Sequence, residues 1–150
     1  MEPLKLQGLQ VGAPLTPAQA RKLNGMRGTL RPYEMNDGSF IVLDVKKSLP
    51  EPVMQEVVAS IGESDSSDLG AFFRKTDEAS AKTGKTLIVV RYMSASTKDG
   101  EPLTAWMASS AATSFPGFNG GSAEEVAAQA RAWADEQRDP AQMEVVIVPS

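Results

Sequence analysis

The sequence contains no cysteine and no histidine among its 150 residues. It therefore has no thiol nucleophile, no disulfide, no imidazole base and none of the ligands that build Cys/His zinc sites. Catalysis by this chain would have to use Asp, Glu, Lys, Ser, Thr or Tyr. The composition predicts no catalytic residue, no cofactor and no metal, and it favours a non-catalytic protein.

Long apolar segments are also missing. No apolar run is longer than Val145–Val148, which is far short of the roughly 20 residues that span a bilayer. The first residues lack the basic segment and the apolar segment that form a secretory signal. We therefore expect a cytoplasmic protein without membrane association, and the small, compact chain suggests a bacterial or bacteriophage origin.

The remaining composition is that of an average soluble domain, with 41% hydrophobic and 23% charged residues. The net charge is −4, but residues 1–33 alone carry +4. We predict that residues 1–28 form a basic N-terminal arm with a short helix. Residues 29–150 are predicted to form a single α+β domain, since this length suits one domain.

Apolar periodicity and turn residues predict the order of elements. An arm or bulged strand, suggested by Leu4, Leu6, Leu9 and Val11, precedes the first helix. Strands are predicted at 29–34, 39–45, 87–93, 103–110 and 143–148, with the turn at 97–100 joining the third and fourth. Helices are predicted from Pro17 to Asn24, from a Ser48 capping box to Gly62, from about Leu69 to Thr83, and from Ser122 to Asp139.

Tight turns between paired strands predict antiparallel pairing, and helices with one apolar stripe are typical of packing on one sheet face. The sequence therefore predicts an α+β, two-layer sandwich. It would have a mostly antiparallel sheet of about five strands with three main helices on one face. Pro32, which lacks an N–H, predicts an edge strand. The core faces are predicted to comprise Ile41, Leu43 and Val45 in one strand, and Leu69, Phe72, Phe73 and Thr76 in one helix.

The segment 79–86 resembles a phosphate-binding loop with Ala79 in place of the first Gly. Such a loop needs a strand before it and a helix after it, whereas here the helix comes first. We interpret Gly84 as the end of a helix. The acidic residues Glu63, Asp65 and Asp68 also fail the pattern of a calcium loop and are interpreted as helix caps.

The loop that contains Phe115, Gly117 and Phe118 is the strongest candidate for a partner-binding surface. Two Phe side chains in a Pro/Gly loop either pack into the core or lie exposed as anchors for a partner, and aromatic anchors dominate interface energetics. Trp106, on a predicted strand, is ambiguous in the same way. We assign these four residues to partner binding.

The basic residues Arg21, Lys22, Arg27 and Arg31 form a second candidate surface. They offer contacts to nucleic-acid phosphates, but the chain as a whole is acidic and only Tyr33 lies near them for base stacking. Nucleic-acid binding through these residues is therefore a weaker hypothesis than the protein-binding and ligand-binding hypotheses that follow.

The function predicted by elimination is a non-catalytic protein-binding domain, such as an adaptor, inhibitor, chaperone or assembly factor. The alternative is a small ligand-binding, nucleotide-binding or enzymatic domain that uses carboxylates and Lys. The last strand is apolar on both faces, which is typical of burial in the sheet or of pairing with a second copy in a homodimer.

Overall fold

A computed structural model of the protein describes residues 9–96 and 99–150, apart from the side chain of Ala95. Leu4, Leu6 and the first half of the predicted turn at 97–100 lie outside these residues. The strands are β1 Pro14–Leu15, β2 Leu30–Glu34, β3 Phe40–Asp44, β4 Thr86–Ser96, β5 Pro102–Ser110, β6 Asn119–Gly120 and β7 Met143–Ile147. The helices are α1 Pro17–Asn24, α2 Glu51–Gly62, α3 Leu69–Thr83 and α4 Ala123–Asp135, and a 3-10 turn spans Pro140–Gln142.

Three of the four helices begin at a residue whose side chain caps the helix N-terminus, as the sequence predicts. Thr16 begins α1 with a capping box, and Asp68 and Ser122 accept N–H bonds at the starts of α3 and α4. The prediction of a Ser48 capping box was wrong. Pro50 precedes α2 in an extended conformation and supplies no side-chain cap, so the helix begins at Glu51.

The α+β class is confirmed, but the single sheet of about five strands was wrong. The described residues form a three-stranded sheet in the order β1-β3-β2 and a four-stranded sheet in the order β6-β5-β4-β7. The short strands β1 and β6 carry almost no apolar pattern, so the sequence did not indicate them. β2, which contains Pro32, lies at an edge as predicted.

Both faces of the four-stranded sheet are covered, which corrects the two-layer prediction. Leu87 and Val89 pack in the cluster that contains α2 and α3, whereas Ile88 and Val90 pack against α4. Because neighbouring strand residues point to opposite faces, α4 lies on the other side of this sheet from α2 and α3. The three main helices therefore do not share one face.

The three-stranded sheet is covered on both faces as well. Leu43 belongs to the cluster with α2 and α3, and Val42 belongs to a separate cluster with α1. Both side chains are fully buried. The prediction that only Ile41, Leu43 and Val45 face the core therefore missed a second apolar layer, which α1 supplies.

β7 is an edge strand and the one parallel partner of β4 in the described residues. The chain leaves β5, passes through β6 and α4, and returns to the far side of β4. A helical crossover of this kind brings the next strand back in the same direction, which a tight turn cannot do.

A buried ion pair links the four-stranded sheet to the segment that follows the three-stranded sheet. The Lys85 ammonium lies 2.8 Å from a Glu144 carboxylate oxygen, and the two side chains are 2% and 12% exposed. Lys85 also donates to the carbonyl of Lys47, and the Glu144 carboxylate accepts the Leu49 N–H at 2.9 Å. These bonds connect β7 and the start of β4 to the segment between β3 and α2.

Breaking this pair should destabilise the protein strongly. We expect Lys85→Met to lower the free energy of unfolding by about 3–5 kcal/mol, since the Glu144 charge loses its ionic partner in a buried site. Urea unfolding followed by circular dichroism measures the change. The double variant Lys85→Met/Glu144→Leu should recover most of the loss, because no unpaired charge is left.

The exposed pair Arg74–Glu78 on α3 supplies the matched control. Its side chains are 64% and 65% exposed. Arg74→Met should change the free energy of unfolding by less than about 1 kcal/mol. Equal losses for the Lys85 and Arg74 variants would contradict the role assigned to the buried pair.

Candidate functional site

A surface groove lies where α3, the end of β5 and the loop 111–118 meet. Its volume is about 280 Å³. We call it the Phe73 groove, and its lining consists of Phe73, Asp77, Ala108, Ser109, Ser110, Ala112, Phe115, Pro116 and Gly117. It contains two of the four predicted partner-binding residues, Phe115 and Gly117.

Phe73 forms one wall of the groove and is 49% exposed, so its assignment to the buried face of α3 was wrong. Its neighbour Phe72 is fully buried, with the two ring centroids 6.0 Å apart. Consecutive helical residues are rotated by about 100°, so only one of two adjacent Phe side chains faces the core fully. Thr76, four residues after Phe72, lies on the same face of α3 and is also fully buried. The core face of α3 is therefore the face that carries Phe72.

Phe115 forms the opposite wall and anchors the loop. Its ring makes edge-to-face contacts with Phe118 and Trp133, at centroid distances of 5.4 Å and 5.1 Å. Phe115 and Phe118 are both half-buried against the α4 cluster. Gly117 gives the loop a turn with φ 83°, a backbone conformation that side chains disfavour. Each Phe therefore packs on the core and also retains exposed surface.

Trp106 lies elsewhere on the sheet and does not line the groove. It faces Tyr92 on β4, with centroids 5.6 Å apart and an interplanar angle of 66°. Tyr92 is 42% exposed, and sequence reasoning had not singled it out. The structure therefore separates the four predicted residues into the groove pair Phe115 and Gly117, the supporting Phe118 and Trp106, which lies outside the groove lining.

Asp77 supplies the charge of the Phe73 groove. It lies one turn after Phe73 on α3, is exposed, and forms none of the ion pairs found among the described residues. Its neighbour Glu78 instead contacts Arg74. Asp77 is the single ionisable residue in the lining, so the groove combines aromatic walls with one negative charge.

The predicted basic surface is spread over α1 and the segment that follows it. Arg21, Lys22 and Arg27 are exposed and form no ion pair within the part of the chain that the structure describes. Arg31 differs, because its guanidinium donates to the carbonyls of Gly28 and Leu30, each at 2.8 Å. Arg31 therefore holds its own loop.

The segment that resembles a phosphate-binding loop is a helix end. Gly84 adopts φ 72° and its N–H donates to the Ser80 carbonyl, so α3 ends before β4 begins. Lys85 is 3% exposed and its ammonium is bound by Glu144 and Lys47. The segment therefore presents no helix N-terminus to a phosphate, and Lys85, the lysine at the position that would bind one, is buried.

A second concave site lies between β2, α2 and α3, with a volume of about 230 Å³. Tyr33 forms its floor, with its hydroxyl 3.4 Å from a Glu56 oxygen and the Lys82 ammonium 4.6 Å from its ring centroid. Glu56 also accepts the Asn36 N–H at 2.9 Å. Burial and the neighbouring Glu56 carboxylate raise the pKa of Tyr33 to about 12.

In residues 9–96 and 99–150, no helix combines the length and apolar character needed to cross a bilayer, and no group of three carboxylates gathers to hold a metal ion. Comparison of the chain with protein-family models, with curated proteins and with solved structures finds no match.

The Tyr33 cleft predicts a pH dependence at high pH. A raised pKa means that the folded state keeps the phenol proton while the unfolded chain, with a pKa near 10, loses it. The stability contributed by Tyr33 is therefore complete below pH 10 and falls as pH rises towards about 12. Absorbance titration of the phenolate in a Tyr92→Phe background follows Tyr33 alone, since the chain has 2 tyrosines.

The Glu56→Gln variant tests the cause of this shift. Removing the carboxylate charge should lower the pKa of Tyr33 towards its ordinary value, although burial keeps it raised. A titration curve unchanged by Glu56→Gln would show that burial alone accounts for the shift and would contradict the contribution of Glu56.

Proposed function

We propose that this protein is a non-catalytic protein-binding domain that acts in the cytoplasm and takes an extended segment of another protein into the Phe73 groove. One observation carries the proposal. A half-exposed Phe73 and a half-buried Phe115 form the walls of a single groove, and its lining includes Asp77, which has no ion-pair partner within the described residues. Partly exposed aromatic side chains in a preformed pocket are the residues that contribute most to protein–protein affinity.

The walls of the groove are held before any partner arrives. Phe115 is fixed by its contacts with Phe118 and Trp133, and Phe73 stacks on the buried Phe72. Side chains that are already ordered lose little conformational entropy on binding. Phe118 therefore contributes as support for Phe115, whereas Trp106 packs against Tyr92 outside the groove lining.

The lining also favours binding over catalysis. Asp77 is its one ionisable residue, and no hydrogen bond among the described residues joins Asp77 to Ser109, which is buried, or to Ser110, whose hydroxyl accepts the Ala112 N–H. A serine nucleophile needs an adjacent general base to react. The groove thus offers apolar contact and one charge, which are the components of a recognition site.

The chemistry of the groove defines the segment that fits it. An aromatic or large aliphatic side chain would fill the space between Phe73 and Phe115. A Lys or Arg next to it would pair with Asp77, which contributes to specificity and to the rate of association. We therefore propose a partner segment in which a large apolar residue lies beside a basic residue.

A random peptide library selected on the immobilised protein tests this preference. We expect enrichment of peptides that carry a large apolar residue beside Lys or Arg. Phe73→Ala should weaken the selected peptides by about 30-fold or more, as truncation of a central aromatic anchor does. Asp77→Asn should weaken them a few-fold, and this loss should shrink at high salt.

Tyr92→Ala is the matched control, since Tyr92 is 42% exposed, close to the 49% of Phe73, and lies outside the groove. It should leave the affinity of the selected peptides unchanged. The proposal fails when no sequence class is enriched, or when the Phe73 and Tyr92 variants bind the peptides equally well.

A further inference from the structure

The outer edge of β7 is unpaired in the described residues. β7 is the last strand of the β6-β5-β4-β7 sheet, and the other strands of the described chain do not pair with it. The Val148 N–H donates to the Val90 carbonyl at 2.8 Å. Because backbone groups alternate along a strand, residues 144, 146 and 148 point their N–H and C=O groups towards β4. The corresponding groups of Val145 and Ile147 point outwards.

This edge is apolar and accessible. Val145 and Ile147 are half-buried, and a groove of about 330 Å³ runs beside the strand, lined in part by Ser48, Arg131 and Val145. An exposed apolar strand edge pairs readily with another strand, and proteins usually protect such edges. No proline or charged side chain interrupts 145–148, and the one charge within β7, on Glu144, is bound by Lys85.

The surface of α4 beside this edge is charged in a self-complementary way. Glu124, Ala128, Arg131 and Asp135 follow each other at helical spacing and are all exposed. Arg131 and Asp135 line the groove next to β7, so this stripe faces the edge side. Glu124 and Arg131 form none of the ion pairs found within the described chain.

From these two features we infer that a second copy of this chain docks on the β7 edge, so that two β7 strands pair antiparallel about a two-fold axis at Val146. Val145 of one copy then lies opposite Ile147 of the other. Each such pair exchanges two N–H to C=O bonds. All the outward groups of these two residues are satisfied, and the two sheets become one continuous sheet.

The same axis sets the contact between the two α4 helices. The last turns of α4 lie beside Met143 and Val145, so α4 and β7 run in opposite directions. The rise per residue of a helix is about half that of a strand, so about two residues of α4 cover the length of one residue of β7. The axis at Val146 therefore passes close to Ala128, which places Glu124 of each copy opposite Arg131 of its partner.

The distances fit side-chain contact between these residues. In the continuous sheet, the β4 strands of the two copies are separated by three strand spacings of about 4.8 Å each. An α4 helix centred over each β4 strand therefore has its axis roughly 14 Å from that of the other copy. The helix radius of about 2.3 Å then leaves roughly 10 Å between facing Cα atoms. Glu and Arg together bridge such a gap, whereas short side chains do not, and the charges select an antiparallel arrangement of the helices.

Charge reversal tests the interface through its symmetry. Wild-type protein should form dimers in sedimentation velocity runs between about 10 μM and about 1 mM, a range that brackets a weak homodimer. Glu124→Arg or Arg131→Glu alone places like charges opposite each other at two positions. Each single variant should therefore raise the dimer dissociation constant about tenfold or more.

Mixing the two single variants gives the decisive result. A chain with Glu124→Arg and a chain with Arg131→Glu are complementary at both contacts, so an equimolar mixture should form heterodimers by native mass spectrometry. The double variant should dimerise like the wild type. Glu136→Arg, which makes the same change of charge at the residue after α4 and away from the stripe, should leave dimerisation intact.

Amide hydrogen exchange locates the interface independently. The Val145 and Ile147 amides should exchange quickly in dilute protein and slowly at high concentration, while the Val146 amide is protected in both. A wild-type protein that stays monomeric over the whole range overturns the proposal. The proposal is also overturned if both charge-reversal variants dimerise as tightly as the wild type. It is overturned as well if the Val145 and Ile147 amides gain no protection from exchange in the dimer.

Discussion

The structure depends on β4 being apolar on both of its faces. Leu87 and Val89 require one apolar layer and Ile88 and Val90 require another, and all four side chains are fully buried. One layer of helices covers only one of the two apolar faces of such a strand. The chain therefore places α2 and α3 on one face and α4 on the other, and the long crossover through α4 brings β7 back parallel to β4.

This arrangement has a consequence at each edge of the four-stranded sheet. On one side, β5 pairs within the described residues only with the two residues of β6, and the loop 111–118 lies beside the end of β5 and forms a wall of the Phe73 groove. On the other side β7 ends the sheet with its outer backbone groups unpaired in the described chain. The Phe73 groove and the β7 edge therefore lie at opposite edges of the same sheet.

Several elements could be predicted because their signals are local. The bounds of α1 and the end of α3 follow from Thr16 and Gly84, whose capping roles depend on a few neighbouring residues. The site was predicted only in part. Phe115 and Gly117 were found through an unusual loop composition, whereas Phe73 was missed because the pattern of a helix does not separate two adjacent Phe residues into buried and exposed.

The sequence by itself determined the α+β class, most helix bounds and the exclusion of chemistry that needs thiol or imidazole groups, because these depend on residue type and short-range periodicity. The tertiary structure decided the number of sheets, the helix layers on both faces and the meeting of α3 with the loop 111–118. It also decided that Lys85 binds Glu144 rather than a phosphate. Such contacts join residues far apart in the chain, and apolar periodicity shows that a face is buried without showing what covers it.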